Sequence, residues 1–261
     1  MQTIQSSATA VARYRWLLYE LVVRDIRLRY RGSVLGFAWT LINPILFMLV
    51  YTLVFSVYLR SNIRAYPLFL LSGMIPWMWA SSAIGQAVTA IPDGRMYVGK
   101  TLLPAELLVL VPVLSNAVNF LITILLLFPV CVALGVHVGW ALLFLPILLL
   151  IELCMTLGFS FLVATVNVFY RDLQQLVGYA LMALFFLTPI FYARDAVPAR
   201  LQFLVTFSPI AALISAYQSV FYYGTPPRWR ELAFAAAFSV ALFLVSLAYF
   251  NRSRDAFAEF V

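Results

Sequence analysis

The chain has 261 residues, of which 64% are hydrophobic and only 10% are charged. Soluble globular domains are about 45–50% apolar and about 25% charged, so this composition excludes an ordinary water-soluble fold. The net charge of +7 could indicate nucleic-acid binding. Basic loops on the cytoplasmic side of a membrane protein account for it better, so no nucleic-acid partner is predicted. The apolar stretches are continuous rather than alternating, which predicts membrane-spanning helices.

Apolar stretches of about 20 residues predict about six spans, and therefore an all-α polytopic membrane protein. Residues 1–34 form a cytoplasmic segment at the membrane interface, and residues 35–261 form one transmembrane domain. Residues 201–223 are also apolar, but Pro198, Pro209 and Gly224 interrupt them. We interpret them as short re-entrant helices within an outer region at 193–230; a full span there would place the C-terminus outside. The predicted spans are 37–58, 68–90, 107–134, 141–168, 176–191 and 232–250.

Arginines before the first span set the predicted orientation. Positive charge that flanks the first span is usually retained on the cytoplasmic side. Both termini are therefore predicted to be cytoplasmic. The cluster consists of Arg13, Arg15, Arg24, Arg27, Arg29 and Arg31.

The same N-terminal segment, residues 11–31, has the pattern of an amphipathic helix at the membrane surface. Its apolar side carries Tyr14, Leu18, Leu21 and Val22. Arg15, Asp25 and Arg29 intrude on that side, and the last two are spaced to form an i, i+4 ion pair. Two roles stay open for this helix, a lipid anchor and a docking site for a partner. Its charged face is formed by Arg13, Glu20, Arg24, Arg27 and Arg31.

Three motifs resemble the permeases of type-2 ATP-binding-cassette exporters that carry O-antigen, capsule or teichoic-acid chains. They occur in the order in which that family has them and together cover most of the chain. The first is the run from Arg24 to Trp39 followed by Asn43-Pro44 and Tyr51–Phe55; the second is Tyr97–Glu106; the third is Asn167–Leu173 followed by Phe185–Tyr192.

The resemblance implies a homodimer whose subunits associate with two separate ATP-binding-cassette ATPase subunits. ATP and Mg²⁺ would bind to the ATPase, and this chain would hold no cofactor or metal. A glycan or lipid-linked glycan would pass along the permease dimer interface, in contact with membrane lipid. The cytoplasmic loop at 91–104 would contact the ATPase through a short helix, which Asp93 would cap after Pro92. The predicted coupling residues are Arg24, Asp25, Arg27, Asp93, Arg95, Lys100, Arg171 and Asp172.

Aromatic residues recur on one face of the first span and around the fifth. Sugar rings pack their C–H faces on aromatic rings, and tyrosine hydroxyls bond to sugar hydroxyls. Such a surface suits the movement of a polymer through many weak contacts, although an aromatic stripe can equally serve packing or lipid contact. The predicted channel-lining residues are Phe47, Tyr51, Phe55, Tyr58, Tyr179, Phe185, Phe186 and Tyr192.

Glu152 lies in the middle of the fourth predicted span, where an ionised side chain costs several kcal/mol. Asn116 and Asn119 of the third span are its predicted hydrogen-bond partners, in an interhelical packing role. The alternative is a proton-coupled secondary transporter of a small substrate that uses Glu152. A membrane enzyme is disfavoured, because the sequence has a single histidine and scattered acids rather than a catalytic cluster.

Overall fold

The computed structural model describes residues 13–60, 63–94, 104–136 and 139–257, and all regular secondary structure in these ranges is helical. The helices are α1 (Arg15–Tyr30), α2 (Trp39–Thr52), α3 (Tyr66–Ala87), α4 (Ala90–Asp93), α5 (Ala105–Ile124), α6 (Leu127–Ala133), α7 (Leu145–Phe169), α8 (Leu173–Leu187), α9 (Gln202–Thr206), α10 (Pro209–Gln218) and α11 (Trp229–Ser253).

Within these ranges, 5 helical stretches are long and apolar enough to cross a membrane. They confirm five of the predicted spans, and the protein is an all-α polytopic membrane protein. Short turns extend several of the helices, so that α2 becomes the first span and α5 with α6 the third. The stretches are Gly36–Tyr58, Tyr66–Ala87, Ala105–Ala133, Trp140–Phe169 and Trp229–Ser253.

The fifth predicted span, 176–191, has the wrong bounds. The corresponding helix α8 is Leu173–Leu187, whose 15 residues would span about 22 Å, short of the ~30 Å hydrocarbon core. The cause is Pro189, which disfavours helical geometry in the residue before it. Thr188 is accordingly extended, with ψ of 138°. Pro189 therefore ends the helix instead of kinking it.

The region predicted to be re-entrant consists of two helical arms, Ala199–Thr206 and Pro209–Tyr223, bent by 89°. The Ser208 side chain accepts a hydrogen bond from the Ala211 amide at the start of the second arm, and Pro209 occupies its first turn. The bend therefore has a local cause in the Ser-Pro sequence. If the two arms are counted as one broken span, the candidate spans number 6.

Helix α3 lies at the centre of the bundle and contacts α2, α5, α7 and α10. In the most apolar 18-residue stretch of α3, 72% of the residues are buried, whereas in the corresponding stretch of the first span 11% are buried. The first span therefore lies at the edge of the subunit and leaves most of its surface to lipid or to another chain.

The most extensive helix–helix contact joins α7 to α11. Gly158 lies at their closest approach, where a Cβ atom would be 2.9 Å from Leu242 Cγ and 3.0 Å from the Phe243 nitrogen. A side chain there would force the two helices apart.

We expect Gly158→Ala to lower the free energy of unfolding by about 1–3 kcal/mol, because it overpacks this crossing. Gly178→Ala is the matched control, since a Cβ at Gly178 has no neighbour within 4 Å. Thermal unfolding of the purified proteins in one detergent measures the difference. Equal midpoints for the two variants would contradict the close crossing.

Candidate functional site

Aromatic rings join the first span to the break that follows α8. The ring centroid of Tyr51 lies 5.8 Å from that of Phe185 and 6.3 Å from that of Phe191. Phe55 lies 4.9 Å from Phe191, which is buried at the centre of the cluster. Three predicted channel residues, Tyr51, Phe55 and Phe185, therefore pack within the subunit around Phe191, which is not among the predicted channel-lining residues.

The other predicted channel residues divide by exposure. Phe47 and Phe186 are 49% and 48% exposed, and Tyr58 and Tyr179 are 70% and 71% exposed. Tyr192 is partly buried and packs beside Phe191, with ring centroids 5.0 Å apart. Phe47, Tyr58, Tyr179 and Phe186 thus present aromatic rings on the outer surface of the subunit, and we call these four residues the exposed aromatic set.

The break after α8 leaves backbone carbonyls that have no helical partner. An unsatisfied carbonyl costs several kcal/mol in hydrocarbon, so a break at membrane depth requires donors from elsewhere. Side chains of α3, of α10 and of the break itself supply them. The bonds run from the Tyr66 hydroxyl to the Phe191 carbonyl at 3.0 Å, from the Gln218 amide to the Pro189 carbonyl at 2.9 Å, and from the Tyr192 hydroxyl to the Leu187 carbonyl at 2.9 Å.

Helix α1 is fixed to α5 by an apolar contact. Leu18 and Val22 are buried and form a cluster with Leu107, as the helical pattern predicted. Ile26, rather than the predicted Leu21, continues this contact along α1. The predicted charged face is exposed along its whole length, at Arg13, Glu20, Arg24, Arg27 and Arg31.

Arg29 joins the end of α1 to two spans. Its guanidinium donates to Asn116 Oδ1 of α5 at 2.8 Å and to Gln86 Oε1 of α3 at 3.0 Å. It also pairs with Asp25 at 3.0 Å, as predicted, and approaches Ser115 Oγ at 3.4 Å. The Asn116 amide in turn donates to Gln86 Oε1 at 3.1 Å. We call Asp25, Arg29, Gln86, Ser115 and Asn116 the Arg29 network.

The predicted coupling residues that the structure describes lie at one end of the bundle. Arg24 and Arg27 are exposed on α1, and Arg171 and Asp172 are exposed between α7 and α8. The contact of α1 with the start of α5 places α1 at this end. A hydrogen bond of 2.9 Å from the Asn167 amide to the Val88 carbonyl joins the ends of α7 and α3 there.

Asp93 lies at the same end, but its described setting differs from the prediction. It is the last residue of the short helix α4 (Ala90–Asp93), which includes Pro92, rather than the cap of a helix that begins after that proline. Arg95 and Lys100 lie outside the described residues, in the gap at 95–103.

Glu152 is buried in α7, and its predicted partners are wrong. Its carboxyl accepts a hydrogen bond of 2.5 Å from the hydroxyl of Tyr217, a buried residue of α10. Asn116 belongs to the Arg29 network, and Asn119 Oδ1 lies 3.4 Å from the Tyr30 hydroxyl. Among the described residues, no cation forms an ion pair with Glu152. The contact is therefore a polar link between the fourth span and the bent pair of helices.

The sequence model of the ABC-2 type transporter family matches residues 17–222 of this chain. The chain belongs to this family. It is 37% identical to the O-antigen export system permease protein RfbA of Myxococcus xanthus, over 94% of this chain and 95% of the relative. Identity to the RfbA of Klebsiella pneumoniae is 30%, over 93% and 94%. Identity to the polysialic acid transport protein KpsM of Escherichia coli is 23%, over 90% and 93%.

Arg29 and Tyr217 were not assigned to any site from the sequence. Both lie in the part of the chain that matches the ABC-2 family model. Arg29 carried a signal, because a cation on the apolar side of an amphipathic helix needs a partner there. Tyr217 carried none, since its segment is apolar throughout and nothing in its spacing points to a carboxylate on α7. Pairing distant segments of a membrane chain requires the packed structure.

We expect Tyr217→Phe to lower the free energy of unfolding by about 1–3 kcal/mol, because it leaves the buried Glu152 carboxyl without a donor. Removal of both polar groups in Tyr217→Phe with Glu152→Leu should cost less than the sum of the single changes. Unfolding of the purified variants in detergent measures the coupling. Strict additivity would show that the two side chains do not depend on each other.

Proposed function

We propose that this chain is the membrane-spanning subunit of an ATP-driven exporter that moves a polysaccharide or a lipid-linked glycan across the bacterial cytoplasmic membrane. The observation that carries the proposal is the exposed aromatic set, on a chain similar along more than nine-tenths of its length to O-antigen export permeases. A tyrosine at the end of a span, such as Tyr58, also suits the lipid interface, whereas Phe47 lies in the middle of the first span, where aliphatic side chains would serve lipid contact equally well. Rings that also bind sugar faces suit a glycan path.

The path would lie between two copies of the chain. The first span has only 11% of its apolar window buried, and Val177 is the only residue of α8 that is buried, so both helices have room for a neighbour. A second subunit related by a two-fold axis would bring two exposed aromatic sets together. Tyr51, Phe55 and Phe185 would then support the wall of the path from within each subunit, while the exposed set contacts the glycan.

The ATPase subunits would dock at the end of the bundle that holds Arg24, Arg27, Asp93, Arg171 and Asp172. Docking there is supported by the exposed basic face of α1 and by its attachment to α3 and α5 through the Arg29 network. A movement of α1 would be transmitted to two spans at once. The arginines before the first span support a cytoplasmic location for this end and for both termini.

Proton coupling through Glu152 fits the structure less well. Its carboxyl is buried and bonded to Tyr217 alone among the described side chains. A coupling carboxylate needs a path to water on both sides, and Glu152 is only 1% exposed. A packing role is the better account.

The proposal is tested by purifying the tagged chain after co-expression with its ATPase partner and reconstituting the complex in liposomes. We expect the ATPase to co-purify and ATP to drive glycan into or out of the vesicles. A variant of the ATPase without its catalytic carboxylate should assemble and fail to transport. Glycan movement at the full rate by the permease alone, or proton-driven flux without ATP, would overturn the proposal.

A further inference from the structure

A cavity of about 320 Å³ opens between the end of α1, the start of the first span, α3 and α5. It lies beside the Arg29 network, at the end of the bundle that carries α1. Its lining combines hydroxyl and carboxamide groups with large rings. The lining includes Tyr30, Trp39, Thr40, Asn43, Trp79 and Ser82.

The side chains that line the cavity do not favour a charged ligand. Arg29 borders the cavity, but Asp25 compensates its charge at 3.0 Å, and Asn116 and Gln86 accept two of its hydrogen bonds. No other charged residue lines the cavity among the described residues. A phosphate or a carboxylate would therefore have to compete with Asp25 for this cation, which favours a neutral ligand.

Neutral polar groups remain for a ligand. The side chains of Asn43 and Ser82 form no hydrogen bond with other described residues, and the Tyr30 and Thr40 hydroxyls bond to each other at 2.6 Å. Carboxamides and hydroxyls both donate and accept hydrogen bonds. These groups can therefore pair with the hydroxyl groups of a ligand, which also donate and accept hydrogen bonds.

Two indole rings give the cavity apolar faces. Trp79 is held in place by a stack on Phe120, with centroids 4.7 Å apart, and by a hydrogen bond of 3.3 Å from its indole N–H to the Val113 carbonyl. Trp39, at the start of α2, is partly exposed. Flat rings beside neutral polar groups are the combination that accommodates a sugar, which has C–H faces and a rim of hydroxyls.

We propose that this cavity binds a sugar unit of the exported chain, a subsite that rests on the proposed function. Its volume is near the lower end of the range of about 300–1,000 Å³ for small-molecule pockets, which suits a short part of a glycan. Its position connects it to the exposed aromatic set, because Asn43 is one helical turn before Phe47 on the same span. Sugar bound here is positioned for transfer to the aromatic surface.

The first test measures the concentration of lipid-linked polysaccharide, purified from the organism that carries the exporter, at which ATP hydrolysis by the reconstituted complex is half-stimulated. We expect Asn43→Ala to raise this concentration about three- to tenfold through the loss of one or two hydrogen bonds, with the maximal rate retained. Ser82→Ala should raise it by about threefold.

Ser81→Ala is the matched control, because the Ser81 hydroxyl bonds to the Trp77 carbonyl at 2.7 Å and borders a separate, apolar cavity. We expect it to leave the half-stimulating concentration unchanged. Wild-type values in both cavity variants, or an equal shift in the control, would overturn the subsite.

A photo-crosslinking experiment identifies the occupant directly and does not depend on the stability of the Asn43 variant. Trp39→p-benzoylphenylalanine should capture polysaccharide, detected by periodate staining, during export in cells. The same change at Trp140, an exposed residue far along the chain, should not. Capture of phospholipid alone at position 39 would overturn the subsite, whereas failure of the unmodified complex to export any glycan would overturn the proposed function instead.

Discussion

Replacement of Phe47 by arginine should reduce glycan export by about tenfold or more while the permease still assembles with its ATPase. Phe47 belongs to the exposed aromatic set, and its one ring contact among the described residues is to Tyr51 at 6.4 Å. The change removes a sugar-binding face and places a cation in the proposed path. Export is measured as surface glycan, and assembly as co-purification of the ATPase.

The control for this experiment carries the same penalty of membrane insertion. An arginine near the centre of a span costs about 2.5–3.5 kcal/mol. Val245→Arg places one at a residue that is 67% exposed on α11, a helix that packs mainly on α7 and α10. We expect nearly normal export from this variant. An equal defect in both variants would show that insertion is impaired, and normal export by Phe47→Arg would remove the aromatic path.

Substitutions at Tyr51 and Phe55 test the glycan path less directly than the sequence spacing of these residues implied. The pattern at i and i+4 correctly placed Phe47, Tyr51 and Phe55 along one side of the first span. It could not distinguish rings that pack against α8 from rings that remain exposed, because that depends on Phe191. A charge at Tyr51 would therefore disrupt the subunit itself, and loss of export would not identify the path.

Long apolar segments were predictable to within a few residues because the bilayer imposes their length. The first span was predicted at 37–58 and is Gly36–Tyr58. Helix α8 was misjudged because Pro189 outweighs the apolar residues around it, and hydropathy does not weigh backbone geometry. The end of a span inside a membrane is decided by which side chains can satisfy the freed carbonyls. Here those are Tyr66, Gln218 and Tyr192, and two of them come from distant segments.

The polar contacts were the least predictable part of the site. Glu152 was correctly identified as a buried carboxyl, but the choice of Asn116 and Asn119 assumed that polar residues of neighbouring spans meet. They are instead at the level of α1, where Arg29 reaches Asn116. A helical wheel gives the direction of a side chain and says nothing of its depth relative to another helix, so only the packed structure assigns these partners.

Arg29→Leu should uncouple ATP hydrolysis from export. Loss of the guanidinium removes its bonds to Asp25, Gln86 and Asn116 and leaves Asn116 Oδ1 without this donor, although Gln86 Oε1 keeps its bond from the Asn116 amide. Helix α1 would then remain on α5 mainly through its apolar contact. We expect the complex to hydrolyse ATP with several-fold less glycan exported per ATP, and the amides of α1 to exchange hydrogen faster.

Arg15→Ala is the matched control for this uncoupling, because Arg15 is an exposed residue of the same helix that is not part of its charged face. It should retain both the transport ratio and the exchange protection. Arg29→Lys should reduce the ratio of exported glycan to hydrolysed ATP by an intermediate to large amount. A compact ammonium cannot reach three partners in the planar geometry of a guanidinium. A normal ratio of glycan to ATP in Arg29→Leu, with α1 still protected, would mean that the ATPase drives the spans through another contact, such as the loop that follows α4.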